Sequence, residues 1–463
     1  MIDTRTPLER LDPKKSSLFS PIRINQVTLE NRVWLPAMVT WLSNEEGVVT
    51  KDVEQRYLRY AIGEVGMIVL EAMGIRDVAS GPLMRIGHDR HIPGLRDLAR
   101  KIHDTSPSKV IPQVIDFLKI STRNPTRYLA NLVRQDPKKY AGIDNKREEE
   151  LEKTLSPRQW REYNYGYRQL VEDLDIDEVK SLPGFFAQAA RRAMEAEFDG
   201  VELHFAHAYT MASFLSRTNS RTDEYGGPAL ENRVRLALEV IDAVRREVGR
   251  DFLVGCRFLG SEDIAGGSGI EDAKYFAVQF ARTGVDFLSL SRGGKFDDAK
   301  QPKIGQAVYP YTGHSGDMCM PPACYPAAYN HHLPAAIKRA TVKAGFNIPV
   351  VSCGRIQTFE LAETILRSGE ADLIGMARQL LTDPDWPKKI RDGVGNVVYC
   401  DYMNICEALD RNHLPVRCKL WMNKPKGTMH PPLHDYGTEK TLYPVPDPRP
   451  AEEEDPPVVS VRS

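Results

Sequence analysis

Short apolar segments alternate with amphipathic stretches along most of the chain. The apolar segments are often rich in Val, Ile and Leu, as expected for parallel strands that are buried on both faces. Such alternation favours either a closed barrel or a doubly wound sheet, and eight repeats favour the barrel. The segments are Val33–Met38, Met67–Gly74, Val110–Asp116, Gly200–His204, Phe252–Phe258, Asp286–Ser291, Pro349–Cys353 and Asp372–Ala377. The sequence therefore predicts an α/β fold, a (β/α)₈ TIM barrel.

The stretches between these segments have the periodicity of helices with one buried face. In Pro183–Glu197, an apolar stripe that includes Phe186 and Ala193 is separated from charged positions elsewhere around the helix. Leu230–Val248 shows the same pattern, with Val240 on its apolar stripe. Both ranges are therefore predicted to be helices that cover the barrel.

Two long polar segments interrupt the alternation. Lys119–Leu182 follows the third predicted strand, and Gly293–His332 follows the sixth. Loops at the C-terminal ends of barrel strands face the site where such barrels do chemistry. Each segment is therefore a candidate lid, and surface decoration is the alternative for both.

The chain divides into four predicted parts. Residues 1–16 form an N-terminal extension, 17–395 the barrel, 396–423 a segment with three cysteines, and 424–463 a tail rich in Pro and acidic residues. The tail has little apolar periodicity, so it is expected to be extended or disordered.

Composition narrows the class of protein. The 463 residues carry a formal net charge of −1, which argues against a dedicated nucleic-acid binder. No apolar run reaches the roughly 18 residues of a membrane span, and Met1–Ser17 lacks the apolar core of a signal peptide. We therefore expect a cytoplasmic protein without a membrane partner. The seven cysteines do not suggest a disulfide framework. The sequence does not define the oligomeric state, and a homo-oligomer is one alternative.

The fourth apolar segment leads into His204, His207 and Tyr209. Two imidazoles at the end of a barrel strand could hydrogen-bond a substrate carbonyl and stabilise negative charge on it. The alternatives are two structural histidines or a metal pair, although no third ligand stands at convincing spacing. The phenol of Tyr209 stays protonated at neutral pH and could donate a proton to carbon, or the ring could simply be packed.

The sequence around these residues resembles a known family. Val201–Arg233 reads VELHFAHAYTMASFLSRTNSRTDEYGGPALENR. It is similar to the old yellow enzyme family of FMN-dependent NADH:flavin oxidoreductases, and closest to the barrel domain of the 2,4-dienoyl-CoA reductase branch. The likeness covers roughly residues 17 to 395. It extends to Asn31–Met38, Gly66–Ala72, Gln113, Val350–Ile356 and Ile374–Arg378.

The resemblance implies an ene-reductase that binds FMN noncovalently in the barrel. NAD(P)H would deliver hydride to flavin N5, and the hydride would pass to the β-carbon of a small alkene activated by a carbonyl. His204 and His207 would hold the carbonyl, and Tyr209 would protonate the α-carbon. Alternatives are a flavin-dependent dehydrogenase or demethylase that works in the oxidative direction, and a non-catalytic FMN-binding subunit.

The resemblance also implies a set of cofactor-binding residues. Arg257 would place a cation beside the reduced flavin, and the Gln113 amide would pair with its pyrimidine edge. Gly354, Arg355, Ala377 and Arg378 would surround the phosphate, where small residues allow close backbone approach and arginine adds charge. The first two strands would contribute Pro36, Ala37, Met38 and Ala72.

The chain departs from the family pattern at four positions. Ala208 and Thr210 stand where relatives carry Gly and Leu on either side of the tyrosine. Asp116 stands where many relatives carry His. Val39 stands where a hydroxyl or thiol often tunes the flavin, which leaves open whether Thr40 compensates.

Cys400, Cys406 and Cys418 resemble the iron–sulfur segment of the dienoyl-CoA reductase branch. A [4Fe–4S] cluster requires four thiolates, and Met403 occupies the position of the second cysteine. The three cysteines are therefore weak metal candidates. A structural remnant is the favoured interpretation, and a cluster or zinc are the alternatives.

Overall fold

The eight apolar segments form eight parallel strands that close into a barrel, as the sequence predicts. The computed structural model describes residues 11–78, 81–117, 125–156, 159–160, 163, 170–294 and 313–421. A hairpin of β1 (Ile22–Ile24) and β2 (Val27–Leu29) precedes the barrel. The barrel strands are β3 (Val33–Leu35), β4 (Met67–Gly74), β5 (Lys109–Ile115), β6 (Gly200–Phe205), β7 (Leu253–Leu259), β8 (Phe287–Ser291), β9 (Val350–Cys353) and β10 (Leu373–Gly375).

Each barrel strand pairs with its neighbours in chain order, and β10 closes the ring by pairing with β3. Two predicted strands, Val33–Met38 and Asp372–Ala377, end early at Leu35 and Gly375. The residues that follow leave the hydrogen-bonded ladder and turn into the wall of a cleft at this end of the barrel.

The other end of the barrel is filled by large apolar side chains. The rings of Trp34 and Phe287 meet edge to face at 4.9 Å inside it. Gly255 leaves room for this packing, because a Cβ there would lie 2.2 Å from the Phe287 ring. Ile24 and Leu29 of the hairpin belong to the same cluster and cover it from below. Within the described residues this end of the barrel is therefore closed, and the C-terminal end is where a ligand could enter.

Helices cover the outside of the barrel and occupy the loops at its open end. They are α1 (Lys51–Ile62), α2 (Ile92–Thr105), α3 (Pro125–Gln135), α4 (Glu148–Thr154), α5 (Ile176–Glu195), α6 (Thr210–Leu215), α7 (Leu230–Val248), α8 (Ile270–Thr283), α9 (Gly313–Cys319), α10 (His332–Lys343), α11 (Phe359–Arg367), α12 (Ala377–Thr382), α13 (Trp386–Asp392) and α14 (Ile405–Arg411).

The predicted helix Leu230–Val248 has the bounds of α7. The predicted helix Pro183–Glu197 overlaps α5, which begins earlier, at Ile176, and ends earlier, at Glu195, so that Pro183 is an internal residue. Val179 and Leu182 are buried, so the apolar face continues towards the N-terminus beyond the predicted start.

Both predicted insertions are described in part. The first contains α3 and α4, which share a small apolar cluster of their own with Tyr140 and Ile143. The second contains α9, and its residues 295–312 lie outside the described part. The predicted tail, residues 424–463, and most of the N-terminal extension also lie outside it. Among the described helices, none combines the length and apolar character that a membrane crossing requires.

Candidate active site

A cleft of about 1290 Å³, including space open to solvent, occupies the C-terminal end of the barrel. Its walls come from the ends of the strands and the loops that follow them. All thirteen residues that the sequence singles out for catalysis or cofactor binding line it: Pro36, Ala37, Met38, Ala72, Gln113, His204, His207, Tyr209, Arg257, Gly354, Arg355, Ala377 and Arg378. The structure thus brings together residues that are scattered over more than three hundred positions of the chain.

The two histidines contact each other at one side of the cleft. Nε2 of His204 lies 3.2 Å from Nδ1 of His207, whose backbone has a left-handed φ of 61°. Nε2 of His207 lies 3.0 Å from Oγ of Ser291 and 3.2 Å from Sγ of Cys319. Nδ1 of His204 is buried without a hydrogen-bond partner. The pair therefore keeps hydrogen-bonding capacity that a ligand could use.

Both imidazoles are neutral at physiological pH. Burial, and then the nearby charge of Arg257, lower the pKa of His204 to about 3. Burial also holds the pKa of His207 well below its usual range, with further contributions from His204 and Arg257. Among the described residues, no three His, Cys, Asp or Glu side chains are placed to hold a metal ion. The donor set at this side of the cleft is therefore two uncharged imidazoles.

Tyr209 places its phenol beside these histidines. Its ring centroid lies 5.6 Å from that of His204 and 5.4 Å from that of Phe117, and both contacts are edge to face. Tyr209 immediately precedes α6 and has an extended backbone. A proton donor and two neutral hydrogen-bonding rings thus share one region of the cleft.

The floor of the cleft carries a buried polar network. The amide nitrogen of Gln113 donates to Oε1 of Glu202 at 2.6 Å, and Oε2 of Glu202 is buried without a partner. Burial raises the pKa of Glu202, although the nearby cation of Arg257 acts in the opposite direction. Arg257 itself donates to Oγ of Ser289 and Ser291. Glu202 was not predicted as a site residue, although a lone carboxylate within an apolar strand was a signal for it.

The opposite side of the cleft has two arginines. Nε and Nη1 of Arg355 are buried without hydrogen bonds, whereas Nη1 of Arg378 donates to the carbonyl of Pro321 and to Oδ1 of Asn404. Both guanidinium groups lie 4.6 Å from the ring centre of Tyr402. Tyr402 was also missed, because it comes from the segment after the barrel.

This arrangement fits a phosphate group. Gly354 has a φ of 122°, and a Cβ there would lie 2.9 Å from Cε1 of Tyr329, so only glycine lets the backbone pass. Two cations and buried N–H groups without partners are what a phosphate requires. Arg355 and Arg378, with the backbone at Gly354 and Ala377, are the residues that would hold it.

Comparison with known proteins identifies the family. Residues 17–396 match the model of the NADH:flavin oxidoreductase / NADH oxidase family. The chain belongs to this family. Its cofactor is accordingly FMN, whose phosphate the two arginines suit. The described cleft and the family thus agree on one ligand.

Relatives of known name have similar sequences over most of this chain. An NADH oxidase from Thermoanaerobacter brockii is 31% identical over 388 residues, which are 82% of this chain and 52% of that protein. An NADPH dehydrogenase from Bacillus licheniformis is 32% identical over 375 residues, which are 80% of this chain and 93% of that protein. The chain therefore spans about half the length of the first relative and nearly the full length of the second.

Solved structures support the same fold. A 2-naphthoyl-CoA reductase complex superimposes with a TM-score of 0.67 at 23% identity, over 87% of this chain and 56% of that one. An old yellow enzyme homologue from Zymomonas mobilis superimposes with a TM-score of 0.60 at 22% identity, over 90% of this chain and 99% of that one. These likenesses confirm the (β/α)₈ barrel.

The turn after β3 shows whether Thr40 takes the place of the hydroxyl that Val39 lacks. The side chain of Val39 lines the cleft, and Thr40 turns away from it. Thr40 donates through its hydroxyl (2.7 Å) and its backbone N–H (2.9 Å) to the carboxylate of Glu71. Thr40 therefore does not take the place of a hydroxyl in the cleft wall. It anchors the turn to β4 instead.

The segment after the barrel closes over the cleft. Nε1 of Trp41 donates to Asp410 at 2.5 Å, and the backbone N–H of Val416 donates to the carbonyl of Thr40 at 2.8 Å. Asp410 and Val416 both line the cleft. Residues beyond the barrel strands thus form part of the cleft wall.

The three cysteines of this segment line, with Met403, a pocket of about 310 Å³ that includes space open to solvent. Met403 is 59% exposed, and its sulfur contacts Nζ of Lys419 rather than the thiols. Sγ of Cys418 lies 3.4 Å from the hydroxyl of Thr382. Three thiols with a neutral thioether turned to solvent do not fit a [4Fe–4S] cluster, which requires four anionic sulfur ligands. The donor set agrees with a structural remnant.

Proposed function

We propose that this protein reduces a carbon–carbon double bond that is conjugated to a carbonyl, with NAD(P)H as the source of hydride. The observation that carries the proposal is the pair of neutral imidazoles and the phenol on one side of the FMN cleft. When bound, FMN supplies two-electron chemistry, accepting a hydride and giving it to the β-carbon of the alkene. The chain's own residues account for the rest of the reaction.

His204 and His207 bind the activating carbonyl of the alkene. Each neutral imidazole has one N–H, and the contact between the rings uses one of the two. The other lies either on Nδ1 of His204, which has no partner, or on Nε2 of His207, which faces Ser291 and Cys319. A donor in this buried place stabilises the negative charge that develops on the carbonyl oxygen.

Tyr209 delivers the proton to the α-carbon. Its phenol can donate a proton and lies next to the residues that hold the carbonyl. The cleft serves the nicotinamide and the alkene in turn, so the kinetics should be ping-pong. Arg257 places its positive charge at the floor of the cleft, where it favours an anionic reduced cofactor.

The double variant H204A/H207A tests the proposal. It should keep bound flavin and its reduction by NAD(P)H, whereas its reoxidation by an enone should slow by about 100-fold or more, since one oxyanion donor contributes that much. Anaerobic stopped-flow absorbance separates the two half-reactions. Unchanged reoxidation by the enone would exclude the carbonyl role. Bleaching of the wild-type flavin by amines but not by NAD(P)H would favour the oxidative alternative.

A further inference from the structure

Two of the residues that depart from the family pattern contact each other next to Tyr209. Oγ1 of Thr210, the first residue of α6, donates to Oδ2 of Asp116 at 2.6 Å. Asp116 directly follows β5, and both side chains are buried. A hydrogen bond from a hydroxyl to a carboxylate is among the stronger kinds. It joins the residue after β5 to the start of α6, two places that are 94 positions apart in the sequence.

A cation holds Asp116 in place from the other side. Nε of Arg76 donates to Oδ1 of Asp116 at 2.6 Å, and Nη1 of Arg76 reaches Glu178 at 3.3 Å. The guanidinium also lies 5.2 Å from the ring centre of Phe185. Asp116 is therefore a charge-compensated and immobilised acceptor rather than a free carboxylate.

The neighbouring residues form a second contact. Phe117 follows Asp116, and its ring packs edge to face on the ring of Tyr209, which precedes Thr210. Two consecutive residues after β5 thus contact two consecutive residues after β6. Together the contacts hold both the start of α6 and the tyrosine ring. Ala208, which precedes Tyr209, lacks the conformational freedom of glycine and so restricts the loop further.

We propose that Asp116 and Thr210 are positioning residues that set the place of the Tyr209 phenol for proton delivery. The inference rests on the proposed function, in which Tyr209 protonates the alkene. Neither residue lines the cleft, so both act through the tyrosine. Misplacement of a reacting group by about 1 Å can slow a reaction on the order of 100-fold.

The first test is a pair of matched substitutions, T210V and T210S. Valine keeps the shape of threonine and removes the donor, whereas serine keeps the donor. T210V should slow enone-driven reoxidation by about 10- to 100-fold, with flavin reduction by NAD(P)H within about twofold of wild type, and T210S should retain most of the rate. The control is T341V, which removes a buried threonine hydroxyl bonded only within α10. Equal slowing of both half-reactions by T210V would overturn the proposal.

A double-mutant comparison separates positioning from general damage. In a Y209F background, T210V should add no further slowing, because the proton it helps to place is already absent. Additional slowing of the same size in that background would overturn the proposal. If Y209F alone leaves reoxidation unchanged, the proton-donor role in the proposed function fails, which is a distinct result.

Crystal structures of the variants give a readout that does not depend on activity. In T210V the Tyr209 ring should move from its place 5.6 Å from the His204 ring, and in T210S it should stay. An unmoved ring in T210V would overturn the positioning role whatever the reaction proves to be.

Discussion

Glu71 gives the protein a pH-dependent stability that one substitution should remove. Its side chain is fully buried in the middle of β4, where it accepts two hydrogen bonds from Thr40. Burial raises the pKa of Glu71 from an ordinary value of 4.5 to about 7, although the two hydrogen bonds and Arg56 act in the opposite direction. With this raised pKa, the stability of the wild type should fall from mildly acid to mildly alkaline pH. We predict that the Glu71→Gln variant does not show this fall.

The sign and size follow from proton linkage. Below the pKa that Glu71 has in the unfolded state, the carboxyl is protonated in both the folded and the unfolded protein. As the pH rises, the unfolded state releases this proton first. The free energy of unfolding therefore falls until the pH passes the pKa of Glu71 in the folded protein, which is about 7. The shift from 4.5 to about 7 corresponds to about 3 kcal/mol at about 1.4 kcal/mol per pH unit. Glutamine has no proton to release and can accept and donate in the same place.

The assay is urea unfolding of FMN-loaded wild type and E71Q, followed by far-ultraviolet circular dichroism at several pH values from 5 to 8. Across that range the free energy of unfolding of E71Q, relative to wild type, should rise by about 2 to 3 kcal/mol. E149Q, which changes an exposed carboxyl on α4, is the control. A difference between E71Q and wild type that is constant with pH would refute the reasoning.

Three further outcomes are expected. Arg378→Ala should lower the flavin retained after gel filtration, because a charge-assisted phosphate contact is lost; full occupancy at micromolar protein would count against the assignment. Gly354→Ala should cost about 1–2 kcal/mol in thermal stability of the holoprotein, since alanine is strained at a φ of 122° and would crowd Tyr329; an unchanged melting temperature would contradict this. Protein purified anaerobically should contain little iron by elemental analysis, whereas about four iron and four sulfide per chain would contradict the poor fit at Met403.

Much of the fold follows from local pattern. Buried parallel strands are apolar on both faces, so the eight segments stand out, and α7 has a regular apolar stripe along its whole length. The place of the cleft follows as well, because the C-terminal ends of barrel strands share one end of the barrel. The ends of the strands were predicted less accurately. Residues such as Met38 lie beyond the hydrogen-bonded ladder but are still apolar, because they line the cleft.

What the sequence does not show is the pairing of distant polar groups. The Thr210–Asp116 and Thr40–Glu71 hydrogen bonds join residues 94 and 31 positions apart, and neither leaves a periodic signal. Tyr402 is similar, because its contact with the two arginines depends on how the segment after the barrel folds back over the mouth. The spacing of the three cysteines is visible in the sequence, but the exposure of the Met403 side chain to solvent could not be predicted from it.

The most direct test of the account follows the hydride. Wild-type holoprotein is incubated under nitrogen with a cyclic enone and a nicotinamide that carries deuterium at its transferable position, and the product is examined by nuclear magnetic resonance. Deuterium should appear on the β-carbon and solvent hydrogen on the α-carbon, with the second step slowed in Tyr209→Phe. A product without deuterium on the β-carbon, or no reduction of any activated alkene while the flavin is reduced by the nicotinamide, would contradict the account.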